Sequence, residues 1–493
     1  MLIEINVYNI SVDYMLFNSY IYIFLFLPIT LLIYFLLNKH KFIQLSKGLL
    51  VIASLFFYSF WNIKYLILIV CSMLFNYSIG TTLNNYEITH LKINRKAVLA
   101  FGITINILLL SYYKYFDFFI NNINSLFKAD LPLLQIVLPL GISFFTFTQI
   151  AYLVDAYNKK VKEADFLNYA LFVTFFPHLI AGPIIHHREM MPQFARLKNK
   201  IFSHKNLSIG LFLFSIGLFK KVILADNLSG FVSQGYDVVN NLNFFESWLV
   251  SISYTLQIYF DFSGYTDMAL GVALMFNIIL PLNFNSPYKA HNLQDFWRRW
   301  HMTLSRFLKD YIYIPLGGNR YGKLKTFQNL LTTFLLGGLW HGANWTFIVW
   351  GAIHGFGTIV HKLWKKLNFK MPAVLAIIST FIFINITWVF FRSENIHIAL
   401  KMLKNMFGAN GFLPPKIFHC HLRLEHLYSL TLDDITNTFY IIVLSFGLLF
   451  VSNSNQLTEK FKPSLWTAII TAFLLFICIS NLVQPSEFLY FNF

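Results

Sequence analysis

Apolar runs recur along this chain with short polar breaks: Tyr20 to Leu37, Leu49 to Ile79, Val98 to Tyr112, Leu167 to Ile185, Leu207 to Leu224, Phe244 to Tyr259, Ile377 to Phe391, Phe439 to Val451 and Leu465 to Val483. Several approach the ~20 residues that a helix needs to cross a bilayer core. Others are shorter or broken by Gly and Pro, which a membrane tolerates where the backbone is buried in protein or lines a cavity. The pattern predicts about ten to thirteen membrane segments. The longest uncharged stretch runs from Thr326 to His361, 36 residues without Asp, Glu, Lys or Arg. Lys323 and Lys325 flank it on one side, and Lys362, Lys365 and Lys366 on the other. Bases at both ends place both in the cytoplasm, so the chain dips in and returns. Each limb would hold roughly 15 to 19 residues, about 23 to 28 Å of helix. His341, within "LLGGLWHGANW", falls at the tip, where Gly337, Gly338 and Gly342 are expected to permit a tight turn.

Composition supports the same class. The 493 residues are 57% hydrophobic and 12% charged, against about 25% charged for a soluble domain, and mean hydropathy is +0.57. An all-α polytopic membrane protein follows, read as one domain over residues 1–493, with an outer polar loop at about 408–438 and an aromatic tail at 485–493. The net charge of +16 sits in islands between spans, such as Lys39 to Lys47, Lys92 to Lys96 and Lys159 to Lys162. Such islands set orientation in a bilayer and point away from nucleic acid, although an acidic ligand at the cytoplasmic face stays open. Lys460 and Lys462 before the last run place its start inside, and the base-free beginning of the chain reads as a retained span with an outer N-terminus. Both termini are therefore expected outside. Cys71 and Cys478 lie in apolar runs and Cys420 in a loop, so no structural disulfide is expected.

Three groups of residues could carry chemistry. A neutral imidazole is cheaper in lipid than a carboxylate and titrates near neutrality, so His341 suits proton transfer, or it is hydrogen-bonded within the bundle. In "DFWRRWHMTLSRFLKDYIYIPLGGNR", Asp295 to Arg320, a helix would bring together Trp297 and His301, Asp295 and Arg299, and Arg306 and Asp310 at i,i+4. The segment reads as lining a wet cavity or as an interfacial helix. Asp261 and Asp267 in "YFDFSGYTDMALG" face a polar interior, with Arg298 or Arg299 as candidate partners. Pro177, Gly182 and Pro183 break a span and would expose backbone to a cavity. His419, Cys420, His421 and His426 match no strong zinc spacing, and no metal is expected. Gly317 and Gly318 read as a turn, since the strand and helix of a phosphate loop are missing.

Taken together, "FWRRWHMTLSRFLKDYIYIPLGGNR" followed by "LLGGLWHGANWTFIVWGAIHG" resembles the membrane-bound O-acyltransferase family, in particular its alginate O-acetyltransferase branch. "LPLGISFFTFTQIAYLVDAY", "LIAGPI" and "FDFSGYTDMALG" are similar to that branch in the same order. The likeness spans about Phe60 to Gly408. It implies a multi-helix disc with cytoplasmic and periplasmic funnels joined by a narrow tunnel at a catalytic histidine. His341 matches that histidine and His301 the upstream one, 40 residues earlier. It also implies acetyl transfer from a cytoplasmic thioester, acetyl-CoA, to an exported polysaccharide such as peptidoglycan or alginate, through a periplasmic SGNH-type O-acetyltransferase. The terminal "EFLYFNF" is similar to the aromatic end motif of this branch, which makes Tyr490 the candidate acetyl carrier, or else an interfacial anchor. D-alanyl transfer to teichoic acid shares the two-histidine arrangement and is the neighbouring reading. A passive transporter, with His341 relaying protons, would show solute flux without acyl exchange, and a structural scaffold would tolerate replacement of His341.

Overall fold

The computed structural model describes residues 15–84, 94–161, 165–239, 241–369, 371–412 and 432–482, together with Ser486, Phe488 and Leu489. Helices account for nearly all regular structure, as a chain in lipid requires, because each backbone N–H and C=O must find its partner within the segment. In order they are α1 (Tyr22–Lys39), α2 (Ile43–Ser59), α3 (Lys64–Asn84), α4 (Arg95–Phe127), α5 (Ile142–Tyr157), α6 (Phe166–Thr174), α7 (His187–Ala195), α8 (His204–Val238), α9 (Phe244–Met275), α10 (Gly322–His341), α11 (Trp345–Trp364), α12 (Ala373–Arg392), α13 (Ile396–Met406), α14 (Leu432–Phe450) and α15 (Leu465–Ser480). Shorter helical turns lie between them. Among the described residues α1, α3, α4, α8 and α12 are long and apolar enough to cross a membrane, and α2, the apolar part of α14, and α15 are shorter apolar helices. The protein is an all-α polytopic membrane protein.

Outer helices expose Leu32, Ile67, Phe101 and Phe473, the inverse of a soluble surface and the expected face toward lipid. The centre is α9, which packs on α8, α12, α13 and α14. Its 32 residues, about 48 Å of helix, begin at a capping box in which Asn243 and Glu246 satisfy each other's backbone amides. Contact between α8 and α9 is close because Gly217 faces Gly264: a Cβ on either would come within 2.6–2.7 Å of the other's carbonyl oxygen. Beside that contact α8 widens into a π-helical turn at Lys220–Ala225. The wide turn lets two consecutive lysines reach α9, Lys220 to Asp267 at 2.6 Å and Lys221 to Asp261 at 2.7 Å. The two acids therefore pair with lysines of α8 rather than with Arg298 or Arg299.

Pro177 opens a one-turn helix, Phe176–Leu179, Gly182 and Pro183 follow in irregular chain, and all three are buried. Thr303 Oγ1 accepts from the Ile184 amide at 3.0 Å, and Tyr265 Oη from that of Ala181 at 3.3 Å. Gly317 and Gly318 form the expected turn, with φ of +107° and +58°, and the carbonyl of Gly318 accepts from the Asn329 side chain. Cys71 and Cys478 are free thiols. The loop histidines 419, 421 and 426, Cys420 and Tyr490 lie outside the described residues.

Candidate active site

The uncharged stretch folds as the expected hairpin. α10 and α11 pack antiparallel, and His341 is the last residue of α10, with Asn344 capping α11 by accepting the Thr346 amide at 3.1 Å. The glycines act differently from expectation. Gly337 and Gly338 lie inside α10, and Gly342 is extended at φ −164°, a conformation open to any residue. Space is what excludes a side chain: a Cβ on Gly338 would overlap the Phe347 carbonyl, and one on Gly342 the Phe347 ring. Gly338→Val therefore forces the two helices apart, with an expected loss of about 1–3 kcal/mol. It shows as a lowered melting temperature of the purified protein, while Gly337→Ala, whose Cβ meets only a flexible Leu308 methyl at 3.1 Å, changes little.

The end of α10 is held by groups from α4. Lys114 donates to the carbonyls of Trp340 at 2.5 Å and His341 at 3.1 Å, and to Ser143 Oγ at 3.2 Å, while Tyr115 donates to the Leu339 carbonyl at 2.7 Å. A cation at a helix C-terminus satisfies carbonyls that have no partner within the helix. Sequence reading missed Lys114, although a lone lysine in "SYYKYFDFF" was a usable signal. Lys114→Met leaves those carbonyls short of a donor and loosens the histidine's backbone. Any reaction at His341 is expected to slow about tenfold or more, since misplacement of reacting groups by ~1 Å has large effects, and steady-state turnover measures it.

His301 reaches the same region from a different element. The segment from Asp295 is two short helices, Leu293–Trp297 and Met302–Leu308, with His301 between them at φ +42°. Trp297 and His301 therefore share no helical face, and Arg306 pairs with Glu189 at 2.8 Å instead of with Asp310, whereas Arg299 does pair with Asp295 at 2.9 Å. Asn283 Oδ1 accepts from the Thr303 amide at 3.3 Å, which identifies that atom as oxygen; the His301 Nδ1 3.0 Å away must then carry the proton. The Trp340 ring bridges the two imidazoles, 4.9 Å from His341 and 6.1 Å from His301 between centroids. Both histidines are buried, at 2% and 0% exposure.

A cavity approaches this pair from each side. One of about 320 Å³ is lined by Tyr112, Lys114, Asp117, Gly342, Asn344 and Phe347. The other, about 970 Å³, lies at the lysine-rich ends of the hairpin and is lined by Asp295, Arg298, His361, Lys365 and Phe383, among others. Between the larger cavity and His341 stand Trp297, His354 and Trp350, with Trp350 5.2 Å from His341 and 4.7 Å from His354. Phe391 closes another side at 5.1 Å. Where a tunnel was expected, aromatic rings pack around His341. His354, another residue not singled out, accepts from Trp297 Nε1 at 3.3 Å through Nδ1, so its Nε2 holds the proton toward Thr387 Oγ1 at 3.1 Å.

Two buried imidazoles flanking one indole, approached by cavities from opposite ends of a helical hairpin, suit transfer of a group across the layer. Residues 14–399 match the model of MBOAT, the membrane-bound O-acyltransferase family. The chain belongs to that family. This acyltransferase is 46% identical to the peptidoglycan O-acetyltransferase of Helicobacter pylori, over 97% of its own length and 98% of the relative's. It is 34% identical to a probable alginate O-acetylase of Pseudomonas putida, over 97% and 100% respectively. It is 29% identical to the teichoic acid D-alanyltransferase of Bacillus subtilis, over 52% of its own length and 69% of that protein's. Among the described residues no cluster of three His, Cys, Asp or Glu is placed to hold a metal ion.

Proposed function

We propose that this acyltransferase moves acetyl groups from cytoplasmic acetyl-CoA across a bacterial inner membrane for O-acetylation of an exported polysaccharide, peptidoglycan or an alginate-like polymer. A periplasmic SGNH-type O-acetyltransferase completes the transfer. The observation that carries the reading is a buried imidazole, His341, at the tip of a hairpin between two cavities. With the lysine-rich ends of the hairpin cytoplasmic, the larger cavity receives the donor, and Arg298 and Lys365 in its lining suit the phosphates of a coenzyme. Full-length likeness to a peptidoglycan O-acetyltransferase favours acetyl over D-alanyl transfer.

In the simpler route the phenol oxygen of Tyr490 attacks the thioester carbonyl carbon while His341 takes the phenolic proton. The C–S bond then breaks, and the thiolate leaves with the proton returned by the imidazolium. In the other route an imidazole nitrogen of His341 displaces the thiolate first, and the phenol attacks the resulting acyl-imidazole. His301, with its Nδ1 proton fixed by Asn283, orients or assists. The aryl ester then passes its acetyl group to a hydroxyl of the partner enzyme, releasing the phenol. A phenol near pKa ~10 is a better leaving group than an alcohol, so the ester stays activated.

The test is to incubate purified protein with acetyl-CoA carrying an isotopic acetyl label and to map the label by mass spectrometry, with D-alanyl donors in parallel. Label on Tyr490 or His341 from the acetyl donor supports the reading. Label from the D-alanyl donor alone replaces it with teichoic acid chemistry.

A further inference from the structure

After α15 the described residues Ser486, Phe488 and Leu489 lie against the bundle. Tyr20 Oη donates to the Ile479 carbonyl at 2.9 Å and Asn18 Nδ2 to the Ser486 carbonyl at 3.1 Å, which directs the tail inward. There it meets three charged side chains. Lys221 pairs with Asp261 Oδ1 at 2.7 Å and with Asp226 Oδ1 at 2.8 Å. Each carboxylate turns its second oxygen to the tail: Ser486 Oγ donates to Asp226 Oδ2 at 2.6 Å, and the Leu489 amide donates to Asp261 Oδ2 at 3.0 Å. The Lys221 ammonium lies 4.7 Å from the centre of the Phe488 ring, which also packs edge-on against Tyr265 at 4.7 Å. Phe488 is 1% exposed.

Burying Lys221 and Asp261, both 2% exposed, costs solvation that one ion pair does not fully return. A carboxylate has two oxygens with lone pairs on each, and a buried acceptor left without a donor is unfavourable. The tail supplies those donors at positions 486 and 489, and an aromatic face for the cation at 488. Recognition runs partly through a main-chain amide, so it fixes the path of the segment as well as its side chains. The position is also informative. Asp261 is near the midpoint of α9, and its neighbour Phe262 packs 4.8 Å from the His301 ring.

We infer that Lys221, Asp226 and Asp261 form a socket that seats the C-terminal segment within the membrane through Ser486, Phe488 and Leu489, with Phe488 as its plug, and that outward transfer depends on this seating. The three are positioning residues. The inference rests on the proposed acyl-carrier role of the tail for its consequence, but the seating itself is measured without any reaction.

Hydrogen–deuterium exchange of the full-length protein in nanodiscs reads the C-terminal peptide directly. Wild-type protein is expected to exchange its tail amides at least tenfold more slowly than a free peptide of the same sequence. Phe488→Ala removes only tail atoms and leaves no charge unpaired. It should bring exchange to the free-peptide rate and lower outward acetyl transfer at least tenfold, with the exchange of the α10 and α11 amides unchanged. Asp261→Ala should act in the same direction, and if that variant fails to fold, Phe488→Ala still decides. A wild-type tail exchanging like free peptide overturns the socket, as does Phe488→Ala with full protection, or with protection lost and transfer at the wild-type rate. Protection that Phe488→Ala abolishes, in a wild type that transfers no acetyl from any donor, supports the socket and refutes the acetyl reading instead.

Discussion

His341→Ala is expected to reduce acetyl transfer by on the order of 10²–10⁴, the range for loss of a positioned proton acceptor, and the acyl-imidazole route would lose still more. The fold should survive. His341 ends α10, and its backbone carbonyl, held by Lys114, is unchanged by truncation of the ring. Trp340, Trp350 and Phe391 would line the small space left behind. The measurement is label transfer from acetyl-CoA to an outer acceptor in proteoliposomes, compared with the melting temperature of the same preparation. His354→Ala provides the contrast. Its ring is as buried, but its nitrogens are engaged by Trp297 and Thr387, so its loss is expected to appear chiefly in stability. A His341→Ala protein that is stable and transfers at near the wild-type rate would remove this imidazole from the reaction, whereas wild-type protein that passes no label to the acceptor would favour a transporter or a scaffold.

The hairpin was legible because its signal is an absence: 36 residues without charge, bounded by lysines on both sides, can only be satisfied by a chain that enters and returns. The partners of Asp261 and Asp267 were not. Arginines at 298 and 299 are nearer in sequence than Lys220 and Lys221, and only the widened turn of α8 aims two adjacent lysines at one helix. The break at His301 was equally hidden. A histidine at positive φ carries no local mark, whereas glycine would have announced it. Among the described residues, apolar length alone marks five helices. Helices at the centre, α9 above all, hold buried Ser, Thr, Asp and Gln side chains and lose the apolar signature that marks those facing lipid. Glycine was read as permission to turn, and at Gly338 it serves helix contact, a distinction that depends on what lies opposite. Contacts such as Leu489 to Asp261, separated by 228 positions, leave no trace in a single sequence.

Tyr490→Phe is expected to stop outward transfer down to the uncatalysed background while sparing the fold. The substitution removes one oxygen and keeps the ring, and the contacts that seat the tail belong to Ser486, Phe488 and Leu489. The variant should therefore keep the slow tail exchange of the wild type, unlike Phe488→Ala, which loses protection and transfer together. Tyr490→Ser is expected to separate accepting an acyl group from passing it on. An alkyl ester has a far more basic leaving group than the aryl ester of a phenol near pKa ~10. Any acetyl loaded there should accumulate on the protein and reach the outer acceptor slowly. If Tyr490→Phe instead transfers at the full rate, the acetyl group never rests on that oxygen, and the acceptor must itself enter the cavity beside Lys114 and Gly342 to meet the thioester or the acyl-imidazole directly.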